Sequence, residues 1–240
     1  MDIKSLLKNA VNSGKTTLSE HESKQILHAY GIPVVQETAA ATEEDAVAAA
    51  LEMGFPIVLK GLGSRLIHKT ERGLVHTHLK TRDEVQSAAE SIRHNAGGDL
   101  EGFLVQPHIQ GKREWIAGLS RDKQFGPVLM FGAGGILTEA ISDVTFRLAP
   151  LSPGDAREMI DEIKSAPLLE DFRGEKKIDR SQIIQVLTGL STLATDHPEV
   201  FEVDINPLIT TASGDLIAVD ALVVVDPKQE KIAAPRHVFQ

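Results

Sequence analysis

Glu202-Val203-Asp204-Ile205-Asn206-Pro207 alternates without a break, and with Phe201 it sends Phe201, Val203 and Ile205 to one face of an extended strand and Glu202, Asp204 and Asn206 to the other. Two strands, Val200 to Thr210 and Asp215 to Val225, flank a turn at Ala212-Ser213-Gly214 and predict an antiparallel hairpin. With the turn centred on Ser213, Asn206 and Asp220 oppose one another across the hairpin, close enough to share one ion. Carboxylate and amide oxygens suit a hard cation such as Mg²⁺, which keeps waters and takes its remaining ligands from nucleotide phosphates. A solvated polar face also explains the alternation, but Asn-Pro inside a strand asks for a further reason.

Working outward, strand-like runs at Phe103 to Gln106, Glu114 to Leu119, Pro127 to Phe131 and Leu137 to Leu148 make the second half sheet-rich. Ser152-Pro153-Gly154-Asp155 combines an N-cap, a proline at the first helical position and an acid in the first turn, predicting a helix to about Ser165; another runs from about Ser181 to Thr195. In the first half, strands and helices alternate. Met1 to Asn12 is amphipathic, Ser19 or Glu20 to Tyr30 is a helix stopped by Gly31 and Pro33, and Thr42 opens an alanine-rich helix to Met53. Pro56-Ile57-Val58-Leu59-Lys60 is a short apolar strand, Leu74 to Lys80 another, and Thr81 with Glu84 forms a capping box for a helix to about Asn95. The expected organisation is a helical arm over 1–20, an α/β lobe over 21–104 and a second lobe over 105–240, an α+β fold overall.

Composition limits the function classes. With 240 residues, 42% of them hydrophobic, the chain can bury one large core or two lobes. The absence of cysteine excludes disulfides, thiolate metal sites and cysteine nucleophiles. A net charge of −9 without a dense basic run argues against a nucleic-acid partner and for a small ligand. The N-terminus carries mixed charge, and the longest apolar runs, such as Gly126 to Gly135, are too short to span a bilayer, so a cytoplasmic protein without a membrane partner is expected.

Several candidates remain. Gly14-Lys15-Thr16 ends like a phosphate-binding P-loop, but Asn9 stands where that motif needs glycine, and a solvated turn explains it. Lys60 ends a strand and precedes a loop with Gly61, Gly63-Ser64, His68-Lys69-Thr70 and Gly73, groups that offer N–H donors and positive charge to phosphates. A surface loop with a snorkelling lysine accounts for the same residues. His68 suits an acid, a phosphate ligand or a transient phosphoryl acceptor, whereas His76 and His78, on one face of a strand, have no third ligand at metal spacing. The glycine-rich Phe131-Gly132-Ala133-Gly134-Gly135-Ile136 is followed by Glu139, Asp143 and Arg147 at spacings of four, one face of a strand if extended; the alternatives are a functional row and an exposed salt-bridged face.

Taken in order, these segments resemble the ATP-grasp subunit of ADP-forming acetyl-CoA synthetases, relatives of the succinyl-CoA synthetase β chain. The resemblance runs through Tyr30-Gly31-Ile32-Pro33, Pro56 to Lys60, His68-Lys69-Thr70, Phe125-Gly126-Pro127, the glycine-rich stretch, Phe146-Arg147-Leu148-Ala149-Pro150, Arg173-Gly174, Glu202 to Pro207 and Val219-Asp220-Ala221. It departs at Arg65-Leu66, where Pro-Asp is common, and at Glu71-Arg72-Gly73-Leu74, which replaces Asp-Val-Gly-Gly. It implies a two-lobed ATP-grasp fold clamping Mg-ADP or Mg-ATP, with Lys60 on the phosphates, Lys69 and Thr70 as further nucleotide candidates, and Gln106, Pro107, His108 and Ile109 as the hinge that meets adenine. Glu114 would hold the nucleoside, and Asn206 and Asp220 would ligate Mg²⁺. His68 would carry phosphate and Asp204 would support a phosphohistidine from the partner, with Glu139 and Arg147 as further catalytic candidates. The implied activity is acyl-CoA + ADP + phosphate ⇌ carboxylate + CoA + ATP, with a separate CoA-binding α subunit that carries the phosphohistidine in an α2β2 assembly. A different ATP-grasp carboxylate ligase and a non-catalytic nucleotide-sensing subunit are the alternatives.

Overall fold

The computed structural model describes residues 2–63, 66, 69–135 and 142–226. Two helices, Ile3–Asn12 (α1) and Glu20–Ala29 (α2), precede a four-stranded sheet of Thr38–Ala40 (β1), Ile57–Leu62 (β2), Val75–Leu79 (β3) and Gly102–Pro107 (β4). The sheet is antiparallel, in the order β1-β4-β2-β3, and packs against Glu43–Met53 (α3) and Arg82–Ala96 (α4). A second sheet holds Arg113–Asp122 (β5), Gly126–Ala133 (β6), Val144–Leu148 (β7), Val200–Thr210 (β8), Leu216–Ala218 (β9) and Ala221–Val225 (β10) in the order β10-β8-β5-β6-β7, with β9 also on β8. One face packs on Pro153–Glu162 (α5) and Arg180–Asp196 (α6) through Trp115, Ala117, Leu129, Phe131, Val203 and Ile205.

Local chemistry explains most element boundaries. Ser19 with Glu22, Thr42 with Asp45 and Ser152 with Asp155 form complete capping boxes at the starts of α2, α3 and α5. The box expected at α4 is displaced: Thr81 accepts from the Glu84 N–H, but the Glu84 carboxylate accepts from the N–H of Lys80 at 2.6 Å. In β3, His78 adopts φ 61 and the register with β2 shifts, so His76 and His78 do not simply share a face.

Packing places the lobe boundary elsewhere than expected. Leu7, Ala10, Leu18, Ile26, Leu27 and Ile32 belong to the core of the larger sheet, so the arm and α2 go with that lobe and only the stretch from β1 to β4 forms the smaller one. α2 lies along β10, where Ser23 Oγ accepts from the Val223 N–H at 3.0 Å. Two of the departures are packing residues: Leu66 and Leu74 are buried in the small core, and Gly73 between them in sequence supplies a left-handed turn at φ 65.

The other face of the larger sheet is the more exposed one among the described residues. A register row Leu222, Asp204, Gly118, Met130, Phe146 runs across it, with Leu222 and Phe146 exposed. No helix among the described residues is long and apolar enough to cross a membrane.

Candidate functional site

Pro207 organises the site by what it lacks. The hairpin register puts Leu208 opposite Ala218 and Ile205 opposite Ala221, so Asn206 faces Asp220 and Pro207 faces Val219, as the turn at Ser213 predicts. Val219 donates its N–H to the Pro207 carbonyl at 3.2 Å, but proline has no N–H to return. The Val219 carbonyl is therefore left to the other lobe: Lys60 Nζ donates to it at 3.0 Å and Gln106 Nε2 at 3.4 Å. This is the reason Asn-Pro sits inside a strand.

Lys60 comes from the buried strand β2, whose apolar neighbours carry its ammonium to the lobe boundary. There it also donates to Glu20 Oε1 at 2.6 Å and Asp220 Oδ2 at 3.2 Å. Lys24 donates to Glu20 at 2.8 Å, Glu37 at 2.7 Å and Gln106 Oε1 at 2.9 Å, and Lys69 donates to Glu20 Oε2 at 2.7 Å. Three carboxylates and three ammonium groups thus neutralise one another beside a cleft of about 480 Å³ lined by Glu20, Lys69, Thr70, Asp204, Asn206 and Asp220.

The electrostatics of this cluster are uneven. Burial alone would push the Glu20 carboxyl up, but Lys60, Lys24 and Lys69 hold it well below the ordinary range. Burial works to lower the Lys60 pKa, and Glu20 and then Asp220 reverse this to a net rise, so the ammonium stays charged. Asp220 is shifted up by burial and by Glu20, more than the lysines offset. Asp204 is shifted up by burial, then by Glu202 and Asp220. Crowded, partly desolvated oxygens of this kind are relieved by a cation. Among the described residues no group of three or more His, Cys, Asp or Glu could hold a metal alone. Asp220 and Asn206 therefore fit an ion that takes other ligands from phosphate and water, as Mg²⁺ does.

The remaining candidates divide. Gln106 joins the cluster. His108 and Ile109 line an adjoining groove with Lys112, Arg173 and Gly174, where the His108 ring stands edge-on to His78 with centroids 4.9 Å apart. Burial, then His78, lowers the His108 pKa, keeping the ring neutral at pH 7. Glu114 lies in a third pocket against Gly134 and Gly135; the Gly134 N–H donates to the Glu114 carbonyl at 2.7 Å, and a Cβ on Gly134 would stand 2.8 Å from that backbone.

Of the row of Glu139, Asp143 and Arg147, the two described members, Asp143 and Arg147, bind different partners. Ser142 adopts φ 50, which breaks the extended chain, and β7 starts only at Val144. The Asp143 carboxylate accepts from the Lys164 and Ser165 N–H groups, both at 2.7 Å. Arg147 pairs with Glu162 of α5 at 2.5 Å, on a strand three removed from β8, so it is not among the residues gathered at Asp220. His68 and Glu139 lie outside the described residues. Glu20, Lys24 and Glu37, which the site uses, do not stand out in the sequence: α2 is rich in polar residues, and the one local signal is the i,i+4 spacing of Glu20 and Lys24.

Comparison with known proteins agrees with this geometry. A family described as "ATP-grasp domain" matches residues 9–225. The chain is 36% identical over 226 residues to the acetate–CoA ligase [ADP-forming] II subunit beta of Pyrococcus furiosus, covering 91% of this chain and 96% of that one. It is 41% identical over 212 residues to the I subunit beta of the same organism, covering 86% and 91%. Its fold matches, with a TM-score of 0.82 and 37% identity over 94% of this chain and 100% of the other, the dinucleotide-forming acetyl-coenzyme A synthetase 1 of Ca. Korarchaeum cryptofilum, solved with coenzyme A and Mg-AMPPCP and with its phosphohistidine segment pointing towards the nucleotide binding site.

Proposed function

We propose, because the chain belongs to the ATP-grasp family and within it to the β subunits of ADP-forming acetate–CoA ligases, that its cleft binds a magnesium-bound adenine nucleotide and works with a CoA-binding α subunit. Together they run acyl-CoA + ADP + phosphate ⇌ carboxylate + CoA + ATP through an acyl phosphate and a phosphohistidine. The observation that carries this reading is the meeting of Lys60 from one lobe with Val219 and Asp220 from the other, at the edge of a cleft that also holds Asn206 and Asp204.

Asp220 and Asn206 would hold the magnesium ion, which supplies charge neutralisation on the phosphoryl oxygens when bound. Lys60 exchanges the Asp220 oxygen for a phosphate oxygen while the Val219 carbonyl keeps it aimed. The Gln106 to Ile109 backbone receives the base, and Glu114 the nucleoside. Asp204 accepts from the ring N–H of the partner's phosphohistidine and orients it, and His68 stands as the relay between that histidine and ADP. The contribution to rate is positioning and fixed charge.

The reading is tested by purifying the chain with a CoA-binding α subunit and following ATP formation from ADP, phosphate and a panel of acyl-CoAs. ATP formation with at least one is expected; none with any would overturn it, and nucleotide binding without phosphate transfer would favour a sensing role.

Asp204→Asn separates stability from activity. The folded-state pKa of Asp204 is raised, so its charged form destabilises the fold at pH above that value. The variant is expected to lose phosphate transfer to ADP and yet gain roughly 0.5–1 kcal/mol at pH 7 by urea denaturation. The gain shrinks as the pH falls towards the ordinary aspartate value of about 3.9, where the wild-type side chain is protonated as well.

A further inference from the structure

The Glu20 carboxylate is placed where the fold has no use for it. Ser19 and Glu22 already complete the cap of α2, and the Glu20 side chain, 2% exposed, turns away from the helix end into the lobe boundary. Burying a lone carboxylate costs several kcal/mol unless partners satisfy it. Three do: Oε1 accepts from Lys24 and Lys60, and Oε2 from Lys69, all within 2.6–2.8 Å. These lysines come from three different places, α2 itself, strand β2 and the segment after residue 68.

A carboxylate serving stability alone needs one cation. Here it collects Lys69, which lines the cleft, and Lys60, which donates to the cleft residue Asp220, while Lys24 continues to Glu37 and to Gln106. A buried ammonium with no anion beside it tends to lose its proton and its value to a phosphate. Two ammonium groups converging without an anion between them would swing apart.

We propose that Glu20 is a positioning residue for phosphate recognition: it gathers Lys60 and Lys69 into one cationic edge of the cleft and, through Lys24, fixes that edge relative to Gln106. The proposal rests on the nucleotide reading above. When a nucleotide binds, its phosphate oxygens take the place of Asp220 on Lys60, while Glu20 stays as the permanent counter-ion behind both lysines.

The phosphate dependence of binding distinguishes this from a structural role. In the full chain, Glu20→Gln is expected to weaken Mg-ADP at least tenfold while the affinity for adenosine, which has no phosphate, changes less than twofold. Glu20→Asp, which keeps the charge on a shorter stem, recovers part of the loss. A Glu20→Gln protein that keeps the wild-type ratio of ADP to adenosine affinity overturns the proposal, whatever happens to its melting temperature. Should that variant fail to fold, Lys69→Gln is decisive: Lys69 is 18% exposed and its loss leaves Glu20 paired with Lys24 and Lys60. It is expected to lower ADP affinity at least threefold without affecting adenosine, and unchanged ADP binding would overturn the proposal. Failure of the wild-type chain to bind Mg-ADP would count instead against the nucleotide reading itself.

Discussion

Lys60→Met is expected to lower ATP formation by the assembled enzyme roughly 10²–10³-fold, the range seen when one preorganised donor is removed from a developing charge. Methionine keeps the stem that crosses the small core and removes only the ammonium. Glu20 keeps Lys24 and Lys69, so the fold should survive, while Asp220 loses the Lys60 donor and the Val219 carbonyl keeps the longer bond from Gln106. Lys60→Arg would not rescue. The ammonium sits in a three-acceptor pocket with the residue only 4% exposed, and a planar fork with a longer reach does not fit it. Steady-state rates across ADP concentrations, with circular dichroism to verify folding, test this; a variant within tenfold of wild type would remove Lys60 from the phosphate site.

The second large effect concerns stability. Arg113, at the start of β5, is buried, and its guanidinium binds Glu175 at 3.0 Å, the Leu168 carbonyl at 2.8 Å, the Glu170 carbonyl at 3.0 Å and the Lys176 carbonyl. It ties the irregular segment from Ala166 to Ile178 to the sheet. Arg113→Met leaves Glu175 as a buried charge with the Lys112 N–H as its remaining partner among the described residues, and should cost about 3–5 kcal/mol in urea denaturation. Arg113→Met with Glu175→Leu should recover most of that loss, since the penalty lies in the unpaired charge. A single variant that loses less than about 1 kcal/mol would show that the carbonyl contacts are dispensable.

Part of this was legible in the sequence and part was not, for physical reasons. The hairpin and the opposition of Asn206 and Asp220 follow from period-two alternation and a short turn, both local. Helix starts at Ser19, Thr42 and Ser152 follow from capping chemistry within four residues. The Glu20 cluster joins residues 40, 49 and 200 positions apart, which no periodicity encodes. The lobe to which α2 belongs was not legible either, because an apolar helix stripe does not say which sheet it will cover. Within the row of Glu139, Asp143 and Arg147, of which Glu139 lies outside the described residues, Ser142 turns the chain at φ 50 and Asp143 spends its oxygens on the N–H groups of Lys164 and Ser165 just after α5.

The missing N–H of Pro207 reaches beyond the cleft. The hairpin of β8 to β10 cannot complete its own ladder, and the donors that finish it arrive from a sheet that is separate in topology. Each lobe therefore folds onto something the other has left undone. Loosening the small sheet would strip donors from the strand pair that carries Asn206 and Asp220, so damage to either half is transmitted to both, and the chain should melt as one cooperative unit despite its two cores.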